Sequence, residues 1–142
     1  MTTIDETTTA QTRTHILSYF TALQQRDLPS IVPLFADTVD WHIPGNKSIA
    51  PWLGTRTSKA EITIFFQLLW SATEPLSAQL NHMIIHNNVA ITSGTFSSRI
   101  LKTGKIYNSL FFTEITVHNG KISKYRLLED TLALVYASIN ES

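Results

Sequence analysis

Cysteine is absent from the 142 residues, which excludes a disulfide scaffold, a thiolate-ligated zinc or iron–sulfur centre and a thiol nucleophile. Charge is scarce: Asp, Glu, Lys and Arg make up 15% of the chain, and 11 acidic residues balance 11 basic ones. Nucleic-acid binding draws on phosphate neutralisation and shows as a basic patch. Here the lysines and arginines are scattered singly, so no nucleic-acid partner is expected. No run approaches the roughly 18–20 consecutive apolar residues of a membrane-spanning helix, and no membrane partner is expected either. The opening MTTIDETTTAQT carries Asp5 and Glu6 where a signal peptide has basic residues followed by an apolar run. A non-exported, cytoplasmic protein with a flexible tail over residues 1–12 is therefore the expectation. Low-complexity segments and internal repeats are also missing, which leaves residues 13–142 as a single domain. A chain of this length buries about 68–70% of the surface of its unfolded form, enough for a core without a structural metal.

What the sequence does have is apolar and aromatic: 43% of residues are hydrophobic, with three Trp, four Tyr and seven Phe. From Thr14 to Gln25, Ile16, Leu17, Phe20 and Leu23 recur at helical spacing with Tyr19 on the same broad face. The following RDLPSIVPLFAD suits a short helix with Pro29 in its first turn and Pro33 making it irregular. Val39, Trp41 and Ile43 alternate with polar residues in a short strand that Pro44 and Gly45 end. Residues 46–57 lack periodicity and read as an ordered loop tethered by Trp52. Ser58 and Glu61 have capping-box spacing ahead of Ile62, Phe65, Phe66, Leu69 and Trp70, so a third helix runs to about Glu74-Pro75. Four strands follow, Ser77 to His86, Val89 to Leu101, Ile106 to Val117 and Lys121 to Glu129. Asn87-Asn88, Thr103-Gly104 and Asn119-Gly120 join them in antiparallel hairpins. Thr131 to Ile139 suits a last helical turn or two. Helices first and a strand meander afterwards give an α+β plan, with helices on one face of a curved sheet.

The segment Tyr19-x-x-Ala22-Leu23-x-x-x-Asp27-Leu28-x-x-Ile31-Val32-x-Leu34-Phe35-Ala36-Asp37 resembles the opening of ketosteroid isomerases and of the wider NTF2-like and SnoaL-like families. Trp41-x-x-Pro44-Gly45 with Gly54 and the aromatic third helix is similar to the SnoaL-like group. Gly120-Lys121-Ile122, Tyr125-Arg126 and Glu129-Asp130 resemble its last strand. The likeness spans roughly residues 12 to 132. It implies an NTF2-like cone, a strongly curved antiparallel sheet wrapped around three N-terminal helices. A pocket opens at one end, and the outer sheet face often makes a homodimer. The families include isomerases, cyclases, epoxide hydrolases and members without catalysis, so the fold does not name the reaction.

Tyr19 matches the ketosteroid isomerase tyrosine that donates to a developing oxyanion. The general-base aspartate of that enzyme falls on Ile43, or on Trp41 with one gap, and the neutral oxyanion-hole aspartate falls near Thr113. Both acids are missing, which excludes steroid isomerisation by that route. Tyr19 is then either a ligand-directed donor or a wall tyrosine with its hydroxyl satisfied. Against limonene epoxide hydrolase, Arg99 matches the arginine, but Leu101 and Leu127 occupy the two aspartate positions.

If the family alignment holds, strand parity turns Ser93, Thr95, Ser97 and Arg99 inward, followed by Tyr107, Ser109, Phe111 and Thr113, then Tyr125, Leu127 and Glu129. Such a face is too polar for a dry core and fits a polar-lined cavity walled by aromatic residues. Arg99 can hold a ligand carboxylate, phosphate or enolate, and a partly buried Glu129 can serve as a base. The competing reading makes them a structural ion pair or exposed charges. Asp130 rivals Glu129, since one bulge would exchange them. Asp40 and His42 form an alternate acid–base pair, although alternation puts both on the face opposite Trp41. His82 and His86 would lie about 13 Å apart on a strand, too far for one metal, so neither a metal nor a cofactor is expected. The sequence therefore points to binding of a small, largely apolar or aromatic organic molecule. Tyr19, Arg99 and Glu129 are the candidate catalytic groups. Trp41, Ile43, Trp52, Ser97, Tyr107, Phe111, Thr113, Tyr125 and Leu127 are the candidate ligand contacts. Cofactor-independent isomerisation, cyclisation or hydrolysis by proton transfer is one outcome, and a non-catalytic binding or dimerisation module is the other.

Overall fold

The computed structural model of the chain describes residues 4–140. Helix α1 spans Ile4–Gln24, so the segment read from sequence as a flexible tail is helical from Ile4. Its anchor is polar. Thr12 is buried and donates to the Asn87 carbonyl at 2.8 Å, while Thr9 Oγ1 accepts from the Asn87 amide at 2.8 Å. Asp27 caps the short helix α2 (Leu28–Ile31), and a 3₁₀ turn over Val32–Leu34 leads into the sheet. Strand β1 spans Phe35–Ile43, β2 Gly54–Ser58, β3 Thr73–His86, β4 Val89–Ile100, β5 Ile106–His118 and β6 Lys121–Glu129. Helix α3 spans Lys59–Ala72 and α4 spans Thr131–Ser138. Ser58 caps α3 by accepting from the Glu61 amide. The Glu61 carboxylate accepts from the Thr57 amide and hydroxyl, each at 2.8 Å, a capping box displaced by one residue.

The strand order is β2-β1-β6-β5-β4-β3. The four-strand meander is antiparallel throughout, but β1 joins β6 in parallel, with Trp41 opposite Tyr125. The sheet is therefore mixed, curved and open at both edges. Asn119 and Gly120 both take positive φ, 51° and 72°, as a tight β5–β6 hairpin requires. Residues 54–57, read from sequence as part of a loop, belong to β2 and pair with β1 through Trp41↔Arg56 and Ile43↔Gly54.

The parity of β4 is reversed from the alignment-based expectation. Its buried residues are Ala90, Thr92, Gly94 and Ile100, and they oppose inward residues of β5: Ala90↔Ile115, Thr92↔Thr113 and Gly94↔Phe111. Ser93, Thr95, Ser97 and Arg99 consequently face outward. Both faces of this strand mix small, polar and apolar residues, so its pattern has little contrast to set a register. A one-residue shift flips every side chain.

An aromatic cluster fills the narrow end of the cone. Trp41 stacks on Tyr125 at 4.2 Å with 14° between rings and meets Phe65 edge-on at 4.8 Å. Tyr19 and Phe35 lie edge-on at 5.8 Å, and both also pack on Tyr125. Interior aromatics bury large apolar areas and gain further from such geometries.

Candidate functional site

Beyond the aromatic cluster the inner face of the sheet is less completely covered. On the inner face of β3, Leu80 stands opposite Gly94 yet remains 39% exposed. Phe96, Phe111, Leu127 and Glu129, which share that face, are half-buried. Glu129 is the last residue of β6 because Asp130 leaves the strand to cap α4, its Oδ1 accepting from the Ala133 amide at 3.0 Å. Ser109 on β5 locks this junction by accepting from the Asp130 amide at 2.9 Å. The Tyr107 hydroxyl lies 3.1 Å from both Glu129 Oε1 and the Asp130 carbonyl oxygen. Glu129 and Asp130 thus divide their roles, the first on the inner face and the second at a helix N-terminus.

Burial lifts the Glu129 carboxyl from 4.5 to about 7, against the opposing effect of the Tyr107 hydrogen bond. Among the described residues it has no ion-pair partner. Burial, reinforced by the neighbouring Glu129 charge, also raises the Tyr107 phenol, so it stays a donor at neutral pH. A carboxyl that titrates near 7 beside a fixed phenolic donor can take up and return a proton under physiological conditions.

Tyr19 and Tyr125 are joined deeper in the cone, the Tyr19 hydroxyl donating to Tyr125 at 2.8 Å. Burial raises both phenols. Thr92 and Thr113 hydroxyls bond to each other across β4 and β5. Trp41, Ile43, Trp52, Thr113 and Tyr125 are all buried, which places these expected ligand contacts within the packed part of the cone, whereas Phe111 and Leu127 are half-buried.

The structure does not bring Arg99 to Tyr19 or Glu129. With β4 in its observed register Arg99 faces outward, 40% exposed, 3.4 Å from Glu74 Oε1 and donating to the Gly104 carbonyl at 2.9 Å. Ser97, expected to face the ligand, bonds Asn108 on the same outer side. Asp40 pairs with Arg126 at 2.8 Å, while His42 Nδ1 lies 2.9 Å from Thr55 Oγ1, so these two do not act on each other. Two surface hollows have volumes of about 390 and 410 Å³, and neither is lined by Tyr19, Arg99 or Glu129. Among the described residues no group of three His, Asp or Glu is placed to hold a metal, and no helix is long and apolar enough to cross a membrane.

Sequence reasoning missed Arg56. It is the inward residue of β2, and its guanidinium is buried over the Phe65 ring, 5.9 Å from the centroid. The available signal was the alternation of Gly54 to Ser58, obscured by its shortness, by the irregular segment before it and by α3 directly after it.

The SnoaL-like domain family model matches residues 16–125. No curated protein sequence matches the chain. Among solved structures, an NTF2-like protein from Burkholderia xenovorans LB400 superposes with a TM-score of 0.83 at 22% identity, covering 92% of this chain and 98% of that one. TerC, co-crystallised with polyporic acid, gives 0.77 at 18% identity over 89% and 97% of the two chains. An LEH-like epoxide hydrolase from M. tuberculosis gives 0.71 at 12% identity over 92% and 90%. At such identities the likeness establishes the fold.

Proposed function

The chain belongs to the SnoaL-like domain family, and on that premise we propose that it binds a small, largely apolar or aromatic molecule at the wide end of the cone, where Glu129 exchanges a proton with it. The supporting observation is Glu129 itself, a carboxyl near pKa 7 on the inner face, held by Tyr107 and sharing that face with half-buried Phe96, Phe111 and Leu127. Isomerisation, cyclisation and hydrolysis all run on such a group when substrate is oriented by shape, and each then needs no cofactor. The structural neighbour co-crystallised with polyporic acid supports an aromatic ligand, and the epoxide hydrolase neighbour supports hydrolysis as one member of the reaction set. The outward position of Arg99 favours the second reading, binding without turnover, because it removes the expected partner of Glu129.

The test is a thermal-shift screen of aromatic ligands followed by Glu129→Gln and Tyr107→Phe variants. Turnover of any substrate found should fall at least 100-fold in Glu129→Gln, as expected for loss of a general acid–base group. Unchanged turnover rejects Glu129, and ligand binding without turnover in the wild type establishes the second reading.

The same group makes stability depend on pH in a definite direction. Because its folded pKa is raised, the native state keeps a proton that the unfolded chain has lost between 4.5 and about 7. The contribution of Glu129 to stability therefore declines as pH rises through that window, by on the order of 1–3 kcal/mol. Urea melts should show Glu129→Gln equal to wild type below pH 4.5 and more stable above pH 7. Tyr107→Phe removes the donor that favours the charged carboxylate, so carboxyl NMR titration should find Glu129 above 7 in that variant.

On the outer face Phe112 and Leu128 are cross-strand partners, and with Leu110 they expose a continuous apolar strip. A homodimer through this face is expected from the resemblance. Sedimentation should give a dimer for the wild type and a monomer for Phe112→Asp. A monomeric wild type at micromolar concentration rejects it.

A further inference from the structure

Among the described residues Arg56 alone carries a charge into the fully buried set, at 8% exposure. A buried ion is costly unless it is paired and hydrogen-bonded, and Arg56 is only partly served. Nη1 donates to the Glu61 carbonyl at 2.8 Å and Nη2 reaches the Trp52 carbonyl at 3.4 Å. Nε has no acceptor, and no carboxylate forms an ion pair with the guanidinium among the described residues. One oxygen of the nearby Glu61 carboxylate is held by Thr57, and its charge acts on the guanidinium without forming an ion pair.

Trp41 lies directly across the β1–β2 ladder from Arg56, so the two side chains emerge on one face with Cβ atoms about 5 Å apart. Trp41 is wholly buried, and its Nε1–H has no acceptor either. Phe65 packs against both, and Tyr125 stacks on the indole. Two neighbouring donors, one of them cationic, thus stand without acceptors in an aromatic enclosure. Unsatisfied buried donors are uncommon in native proteins, and each calls for a partner.

We propose that Arg56 and Trp41 recognise the carboxylate of an aromatic monoacid. This adds a carboxylate subsite, on the β1–β2 side of the packed end, to the binding function proposed above, and rests on that reading. The Nε–Nη2 edge of a guanidinium meets a carboxylate with two parallel hydrogen bonds, and this is the edge that carries the orphan Nε and the loosely held Nη2. The indole N–H adds a third donor to the same anion, beside the Phe65 ring that packs on both residues. One guanidinium neutralises one negative charge, which favours a monoanion over a phosphate. The entering carboxylate replaces the 3.4 Å contact to the Trp52 carbonyl. That carbonyl belongs to the segment between Gly45 and Gly54, whose φ values of 146° and 107° are open to glycine at little cost.

The test is calorimetric titration of the full-length protein with benzoate and with its uncharged isostere benzamide, alongside tryptophan fluorescence. Benzoate should bind at least tenfold more tightly than benzamide and perturb the fluorescence. Arg56→Met should remove that preference by weakening benzoate alone, and Trp41→Phe should weaken benzoate several-fold while keeping an aromatic ring in place. Should Arg56→Met fail to fold, the wild-type comparison and Trp41→Phe decide the matter. Equal affinities for the two ligands, or full benzoate affinity in either folded variant, overturn the inference while leaving the aromatic pocket standing. Failure of both ligands to bind overturns the inference together with the pocket. A benzoate preference with no response of Glu129 to ligand keeps the inference and removes the role proposed for Glu129.

Discussion

Trp41→Ala is expected to lower the unfolding free energy by about 3–5 kcal/mol, the range for deleting a large aromatic side chain from a core that cannot fully close over the gap. The indole is wholly buried, stacked on Tyr125 and edge-on to Phe65 and Phe66. These contacts come from β1, β6 and α3, three elements with no freedom to collapse together, since β1 and β6 are tied by the sheet ladder. Urea denaturation monitored by circular dichroism measures the loss, and a change below 1 kcal/mol would mean that the cluster repacks. Trp41→Phe keeps most of the ring contacts and should cost much less, which separates the packing role of this residue from the use of its N–H.

Gly94→Val is expected to be comparably severe for a different reason. A Cβ at position 94 would overlap the Gln79 carbonyl oxygen of β3 and lie 2.5 Å from the Phe111 ring. The carbonyl belongs to the backbone of the neighbouring strand and cannot rotate away, so β3 and β4 must separate. Overpacking typically costs about 1–3 kcal/mol, and separating these strands adds the lost ladder bonds. Hydrogen exchange should show protection lost selectively in β3, whose residues are mostly exposed and have little other support. Uniform protection in the variant would count against this account.

Much of this fold could be read from residue patterns where the sequence carries strong contrast. The α3 face, the Ser58 and Glu61 cap and the Asn119-Gly120 turn each depend on local spacing, and each stands in the structure. What escaped depends on distant partners. The first turns of α1 are rich in threonine and have no apolar stripe; Thr9 and Thr12 instead use Asn87, more than seventy residues away. Strand β4 alternates between two faces of similar polarity, so its register is set by β5, and with it the positions of Ser97 and Arg99. Arg56 was hidden because five residues of strand between an irregular segment and a helix look like loop. Glu129 was legible as an inward carboxyl, but its partner Tyr107 becomes evident only when β6 stops at Asp130 and the β5 phenol reaches the junction.

The parallel pairing of β1 with β6 bears on how the chain can be made. β1 ends at Ile43 and β6 begins at Lys121, so this parallel pair of interior strands forms only after nearly all of the polypeptide exists. Contacts of such sequence separation slow folding through the entropy of closing long loops. During synthesis the N-terminal helices and β1 must wait, with the apolar face of β1 lacking its neighbour, until the final strand emerges. A chain truncated at His118 would keep three meander strands and lose the seam that joins them to β1 and β2. The last strand, which carries Tyr125 into the core and Glu129 to the junction with α4, is thus also the one that joins the two parts of the sheet, so no species lacking it can present the proposed site.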